Sequence, residues 1–143
     1  MTAFTLTVIF FLLQQFRLFS FFGINPNLVF VALLFFVFRG ILMRHLIILL
    51  AVIGVLAAAF VPVWILHFAA LFITVFVFKF IKDFMTGSRM LDLLVGIFLG
   101  TFVFYFLAGF FEFGFPLALM FKEAVYNVLV GAIIWLILPE KNA

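Results

Sequence analysis

The chain has 143 residues, 71% of them hydrophobic and 9% charged, with a formal net charge of +3. A water-soluble domain is about half apolar and about a quarter charged. A chain this short has too little interior to hide such an excess, so a soluble fold is excluded and lipid is the solvent for most of the surface. With no Cys there is no disulfide framework and no thiolate chemistry or thiolate metal site, and the 8 basic residues scattered between apolar runs make no surface for nucleic acid.

A spanning helix needs about 20 apolar residues. The opening stretch MTAFTLTVIFFLLQQFRLFSFFG has no basic leader and no small-residue cleavage site after its apolar run. It therefore reads as a first spanning helix and not as a secretory signal. Breaks follow at 23–27, 39–45, the neighbourhood of Pro62, 82–89 and 112–116. GINPN combines the residues that punctuate helices, and DFMTGSR is the most polar loop. Six segments remain, about 3–22, 27–43, 45–61, 63–81, 90–111 and 116–138. The second and third are short and almost contiguous, so they form a tight hairpin, tilt, or stop short of a full crossing. Barrel strands would alternate over about ten residues, whereas these runs are continuously apolar. The expectation is an all-α integral membrane protein, a bundle of about six transmembrane helices forming a single domain over 1–143.

Orientation follows from Lys and Arg, which favour the cytoplasmic side. With both termini inside, Arg39, Arg44, Lys79, Lys82, Arg89 and Lys141 are cytoplasmic, and Arg17 and Lys122 lie outside.

The last segment is interrupted by Lys122, Glu123, Tyr126 and Asn127. Ionisable groups within a membrane are expensive and face the protein interior or a cavity, paired. Glu123 and Asn127 are four apart and share one helix face; Lys122 and Tyr126 share an adjacent one. Arg17, Gln14 and Gln15 end the first helix, Asn25 lies in the GINPN loop, and Glu112 precedes the last helix. These positions predict a polar cluster joining the first and last helices near the outer surface, with Arg17 paired to Glu123. Its plainest role is a structural ion pair, with Lys122 snorkelling to the headgroups. A partner or ligand site comes next, and a proton relay last, because a relay wants acids or His nearer the midplane.

Asp92 beside Arg89 reads as a helix-start charge, favourable against the macrodipole. His67 reads as a packing residue. His45 falls at the opposite interface, so the two share no metal, and no ligand set for a metal or cofactor is visible. Ser20 and Ser88 have no His/Asp arrangement in reach, and no phosphate or dinucleotide fingerprint occurs. The expected protein is not an enzyme. GIFLG places Gly96 and Gly100 four apart, and Gly54 with Ala58 makes a weaker pair. Such faces let helices approach closely, first for internal packing and otherwise for a contact with a second copy.

Two stretches resemble a known family. GINPNLVFVALLFFVFRG (23–40) is similar to the early part of the bacterial rod-shape-determining protein MreD family, where a short loop leads into Pro-(Asn/Asp)-Leu, an apolar run and a basic-Gly break. The tail 115–139, with EAVYN followed by an apolar helix, is similar to that family's C-terminus. The resemblance covers less than a third of the chain. It implies a non-enzymatic scaffold subunit of the cell-wall elongation machinery in the bacterial cytoplasmic membrane. Such a subunit binds MreC, a single-pass protein, and works alongside wall-elongation enzymes. It also implies a fold similar to the substrate-binding S-components of energy-coupling-factor vitamin transporters, which makes such a subunit the alternative. The residues expected to meet a partner are Arg17, Asn25, Glu112, Lys122, Glu123 and Asn127, polar groups that lipid cannot satisfy. Convergent polar groups in a concave pocket would instead favour the transporter subunit.

Overall fold

Six α-helices follow one another among the residues described by the computed structural model, which are 3–20, 24–60, 64–109 and 117–138. They are α1 (Ala3–Gln15), α2 (Leu28–Phe38), α3 (Met43–Phe60), α4 (Trp64–Ile81), α5 (Arg89–Gly109) and α6 (Leu117–Ile137), with a 3-10 turn at Lys82–Phe84 after α4. The all-α bundle expected from continuous apolar runs is the observed architecture. Four stretches, Met43–Phe60, Ile65–Phe84, Arg89–Gly109 and Leu117–Ile137, are long and apolar enough to cross a membrane. Their outward faces carry exposed Val55, Ile65, Phe80, Leu99, Phe106 and Leu136. Water would penalise such a contiguous apolar surface and hydrocarbon does not, so this is a membrane protein.

The first two expected segments are shorter than predicted. α1 has 13 residues and α2 has 11, against the expected 3–22 and 27–43. At 1.5 Å per residue α2 covers about 16 Å, roughly half of a bilayer core. The reason lies in how each helix ends. Arg17 has φ 52°, its N–H donates to Gln14 O at 3.1 Å, and Leu18 N–H donates to Leu13 O at 3.3 Å. That is the left-handed C-terminal motif which closes a helix and satisfies its last carbonyls. α2 ends the same way at the Arg39–Gly40 break. Gly40 has φ 81°, its N–H donates to Val37 O, and Ile41 N–H donates to Phe36 O, both at 3.0 Å.

α2 is the axis of the bundle. All of its residues except Phe36 are buried, as expected of a helix that is apolar all round, and it packs against α1, α4, α5 and α6. The first four N–H groups of a helix have no partner within it, and those of α2 start inside the protein. Each is satisfied from elsewhere. Leu28 N donates to Pro26 O at 3.0 Å, and Val31 N to Asn27 O at 3.0 Å. Val29 N donates to Gln14 Oε1 at 3.1 Å, and Phe30 N to Asn27 Oδ1 at 3.1 Å.

Glycines set the closest approaches. A Cβ on Gly96 would lie 2.6 Å from the Phe38 ring, and one on Gly100 would lie 2.7 Å from the Phe30 ring. Both glycines therefore seat α5 against α2. Gly54 faces Phe68 of α4, whose ring would lie 3.2 Å from a Cβ added there. Its predicted companion Ala58 is exposed, and Ala57 is buried in its place. Gly131 of α6, which the spacing argument passed over, faces Ile97 of α5, whose side chain leaves no room for a Cβ there. These glycines serve internal packing.

Asp92 is buried in the first turn of α5, as the helix-start reading required. It also gathers the loop before it. Its Oδ1 accepts from Thr86 N at 2.9 Å and from the Thr86 hydroxyl at 2.6 Å, and its Oδ2 accepts from Gly87 N at 3.1 Å. Asp92→Ala will free this loop at a local cost of about 2 kcal/mol, the typical worth of hydrogen bonds to a charged group. Limited proteolysis should then cut between Lys82 and Arg89 several-fold faster than in the parent.

Candidate functional site

At the end of the bundle where α1 and α3 finish and α2, α4 and α6 begin, the helices enclose a cavity of about 600 Å³. Phe11, Ile53, Ala57, Leu71 and Phe104 form apolar parts of its wall. Eight polar residues line it, from six places. Gln14 and Gln15 come from α1, Arg17 from the turn that closes α1, Asn25 and Asn27 from the segment before α2, His67 from α4, Tyr105 from α5 and Glu123 from α6.

Depth sorts these groups. Glu123 stands two turns into α6 and is only 5% exposed. The Tyr105 hydroxyl lies beside its carboxyl. Asn25 Oδ1 is buried with no hydrogen-bond partner among the described residues, while its Nδ2 makes a long 3.5 Å bond to Gln14 O. Arg17 and His67 are exposed and lie at the mouth. Arg17 holds its place in the left-handed backbone region, where Gly would be less strained. A bulky residue kept in that conformation points to a use for its side chain.

The anticipated polar cluster divides into two sets. The structural set is Gln14, Asn27 and Asn127. Asn127 is fully buried; its Oδ1 accepts from Asn27 N at 3.0 Å and its Nδ2 donates to Thr101 Oγ1 at 3.2 Å. It fixes α6 to the start of α2 and has no group left for a partner. Tyr126 adds a tie from its hydroxyl to Phe19 O at 2.9 Å. The second set, Arg17, Asn25 and Glu123, lines the cavity. The expected Arg17–Glu123 ion pair is not formed. Among the described residues the ion pair is Lys82–Asp83, and the hydroxyl beside Glu123 belongs to Tyr105. Arg17 stays at the mouth because the left-handed turn ends α1 there. Lys122 is exposed on the outside of α6 and does not line the cavity, which fits a side chain reaching for headgroups. Glu112 lies outside the described residues.

Sequence reasoning placed His67 in packing and passed over Tyr105. A signal for Tyr105 was present. The chain has 27 Phe and 2 Tyr, and a Tyr where Phe is the default implies a partner for its hydroxyl.

No family model, curated protein or solved structure matches the chain.

Proposed function

We propose that this chain is a non-enzymatic scaffold subunit of MreD type in the bacterial cell-wall elongation machinery, and that its cavity receives a group from a single-pass partner such as MreC. One observation carries the reading. The two stretches that resemble that family are joined in space at both ends of α2. At one end Asn27 of GINPN donates to Asn127 of EAVYN, one hundred residues away. At the other, Arg39 of the basic-Gly break donates to Leu138 O and stacks between the Phe35 and Trp135 rings, 4.6 and 5.0 Å from their centroids. Together they hold α2 and α6 parallel and in register, and they form the frame on which the cavity sits.

The charge pattern supports the direction in which the cavity opens. Arg39, Arg44, Lys79, Lys82 and Arg89 lie at the end of the bundle away from it. The bias of Lys and Arg toward the cytoplasm supports a cytoplasmic position for that end. The cavity then faces outward, where the partner's extracytoplasmic domain stands.

A second reading is the substrate-binding subunit of a small-molecule transporter. The cavity itself favours it, because about 600 Å³ with a few convergent polar groups lies within the range of small-molecule sites. Purification in mild detergent from the native membranes, followed by mass spectrometry, decides between the two. A co-purifying single-pass protein with an extracytoplasmic domain, together with wall-synthesis enzymes, is the expected result. An ATPase pair with a coupling subunit, or a retained small molecule, would replace it with the second reading.

A further inference from the structure

The deep part of the cavity is short of donors. A carboxylate offers about four acceptor positions, and among the described residues the polar neighbour of Glu123 is the Tyr105 hydroxyl. Asn25 Oδ1, buried on the same cavity, has no donor among the described residues. Buried polar atoms are nearly always paired, and each exception asks for an explanation. A buried carboxylate without a cation is more costly still. The chain does not supply that cation from the described residues at this depth. Arg17 and His67 are at the mouth, and Lys122 points away from the cavity.

We infer that the cavity takes a positively charged nitrogen group, an ammonium or a guanidinium, held at depth by Glu123 and Asn25 Oδ1. The inference rests on the reading that the cavity is a binding site, and it names the chemistry of the occupant. The cation brings two or more N–H donors to two acceptors that have too few. Charge-assisted hydrogen bonds of this kind are shorter and stronger than neutral ones. Arg17 at the mouth sets the polarity of the site, with cation inward and any accompanying anionic group outward. The cation can belong to a basic side chain of a partner or to a free amine, and the deep contacts are the same for both.

The test uses the purified full chain in lipid nanodiscs and four small probes of matched size: n-butylammonium, n-butylguanidinium, n-butanol and butanoate. Ligands that bind only the folded state raise the unfolding midpoint. The two cations should raise it by several degrees at saturation, on the order of 5 °C, and butanol and butanoate should not. In Glu123→Gln, of the same shape without the charge, the cation effect should vanish. An equal or larger response to butanoate or butanol, or a full cation response in Glu123→Gln, overturns the inference. The comparison of probes on the parent protein stands alone if the variant does not fold. Native mass spectrometry of parent and Glu123→Gln, each drawn from its own membranes, then assigns the source. Loss of a small amine points to a free ligand, and loss of a bound polypeptide points to a partner's basic side chain. If butanoate binds in place of the cations, the cavity remains a binding site of opposite polarity. If no probe binds and both proteins carry the same polypeptides, the binding-site reading falls with the inference.

Discussion

Asn127→Leu will destabilise the protein by about 2 kcal/mol, a loss set mainly by one stranded backbone group. The two bonds of Asn127 are unequal. The Thr101 hydroxyl also donates to Ile97 O at 2.7 Å, so it keeps a partner when the amide is gone. Asn27 N–H has Asn127 Oδ1 as its acceptor at 3.0 Å, and an unsatisfied inward-facing donor costs about 1–3 kcal/mol. The direct interhelical bond to Thr101 adds only about 0.6 kcal/mol, the average for membrane proteins. Thr101→Val strands the fully buried Asn127 Nδ2 in turn, a donor subject to the same penalty, so its cost should be of the same order. For a chain of this size about 2 kcal/mol lowers the thermal midpoint by roughly 4–8 °C, readable by tryptophan or dye fluorescence in detergent. An unchanged midpoint in Asn127→Leu would show that Asn27 N–H does not depend on Asn127 Oδ1.

Gly96→Val combined with Gly100→Val will prevent the bundle from assembling. A Cβ alone at these positions would stand 2.6 and 2.7 Å from the Phe38 and Phe30 rings, and both rings are buried with nowhere to turn. Overpacking costs about 1–3 kcal/mol per site, and two sites on one interface approach the whole stability of an ordinary domain, about 5–15 kcal/mol. Gly54→Ala is the control. Its new Cβ would meet the Phe68 ring at 3.2 Å, and that ring is only half-buried, so it can yield. Size-exclusion profiles after detergent extraction should show the double variant aggregated and Gly54→Ala monodisperse. A monodisperse double variant would mean that α5 does not pack on α2 through these glycines.

Both predictions centre on α2, which the sequence presented as one more spanning segment. Its apolar run was visible, and so was its Arg39–Gly40 stop. An incomplete crossing was among the options its short length left open; what could not be read was that a helix apolar on every face, with only 11 residues, sits in the middle of the others. Hydropathy records that a segment avoids water. It does not distinguish lipid from protein as the alternative.

The polar residues divide in the same way. Composition alone determined that lipid surrounds this protein, because 71% hydrophobic residues cannot be buried by 143 of them. The continuous runs determined helices, and the cost of charge in a membrane determined that Arg17, Asn25, Glu123 and Asn127 had work to do near one end. Only the tertiary structure decided which work. Asn127 and Gln14 are consumed by the buried start of α2, whereas Glu123 and Asn25 are left facing a cavity with His67 and Tyr105, residues far from them in the chain. The physical reason is that a hydrogen bond is satisfied by whatever donor or acceptor lies within about 3 Å. Spacing along one helix states which groups share a face, and the packing of six helices states what that face meets.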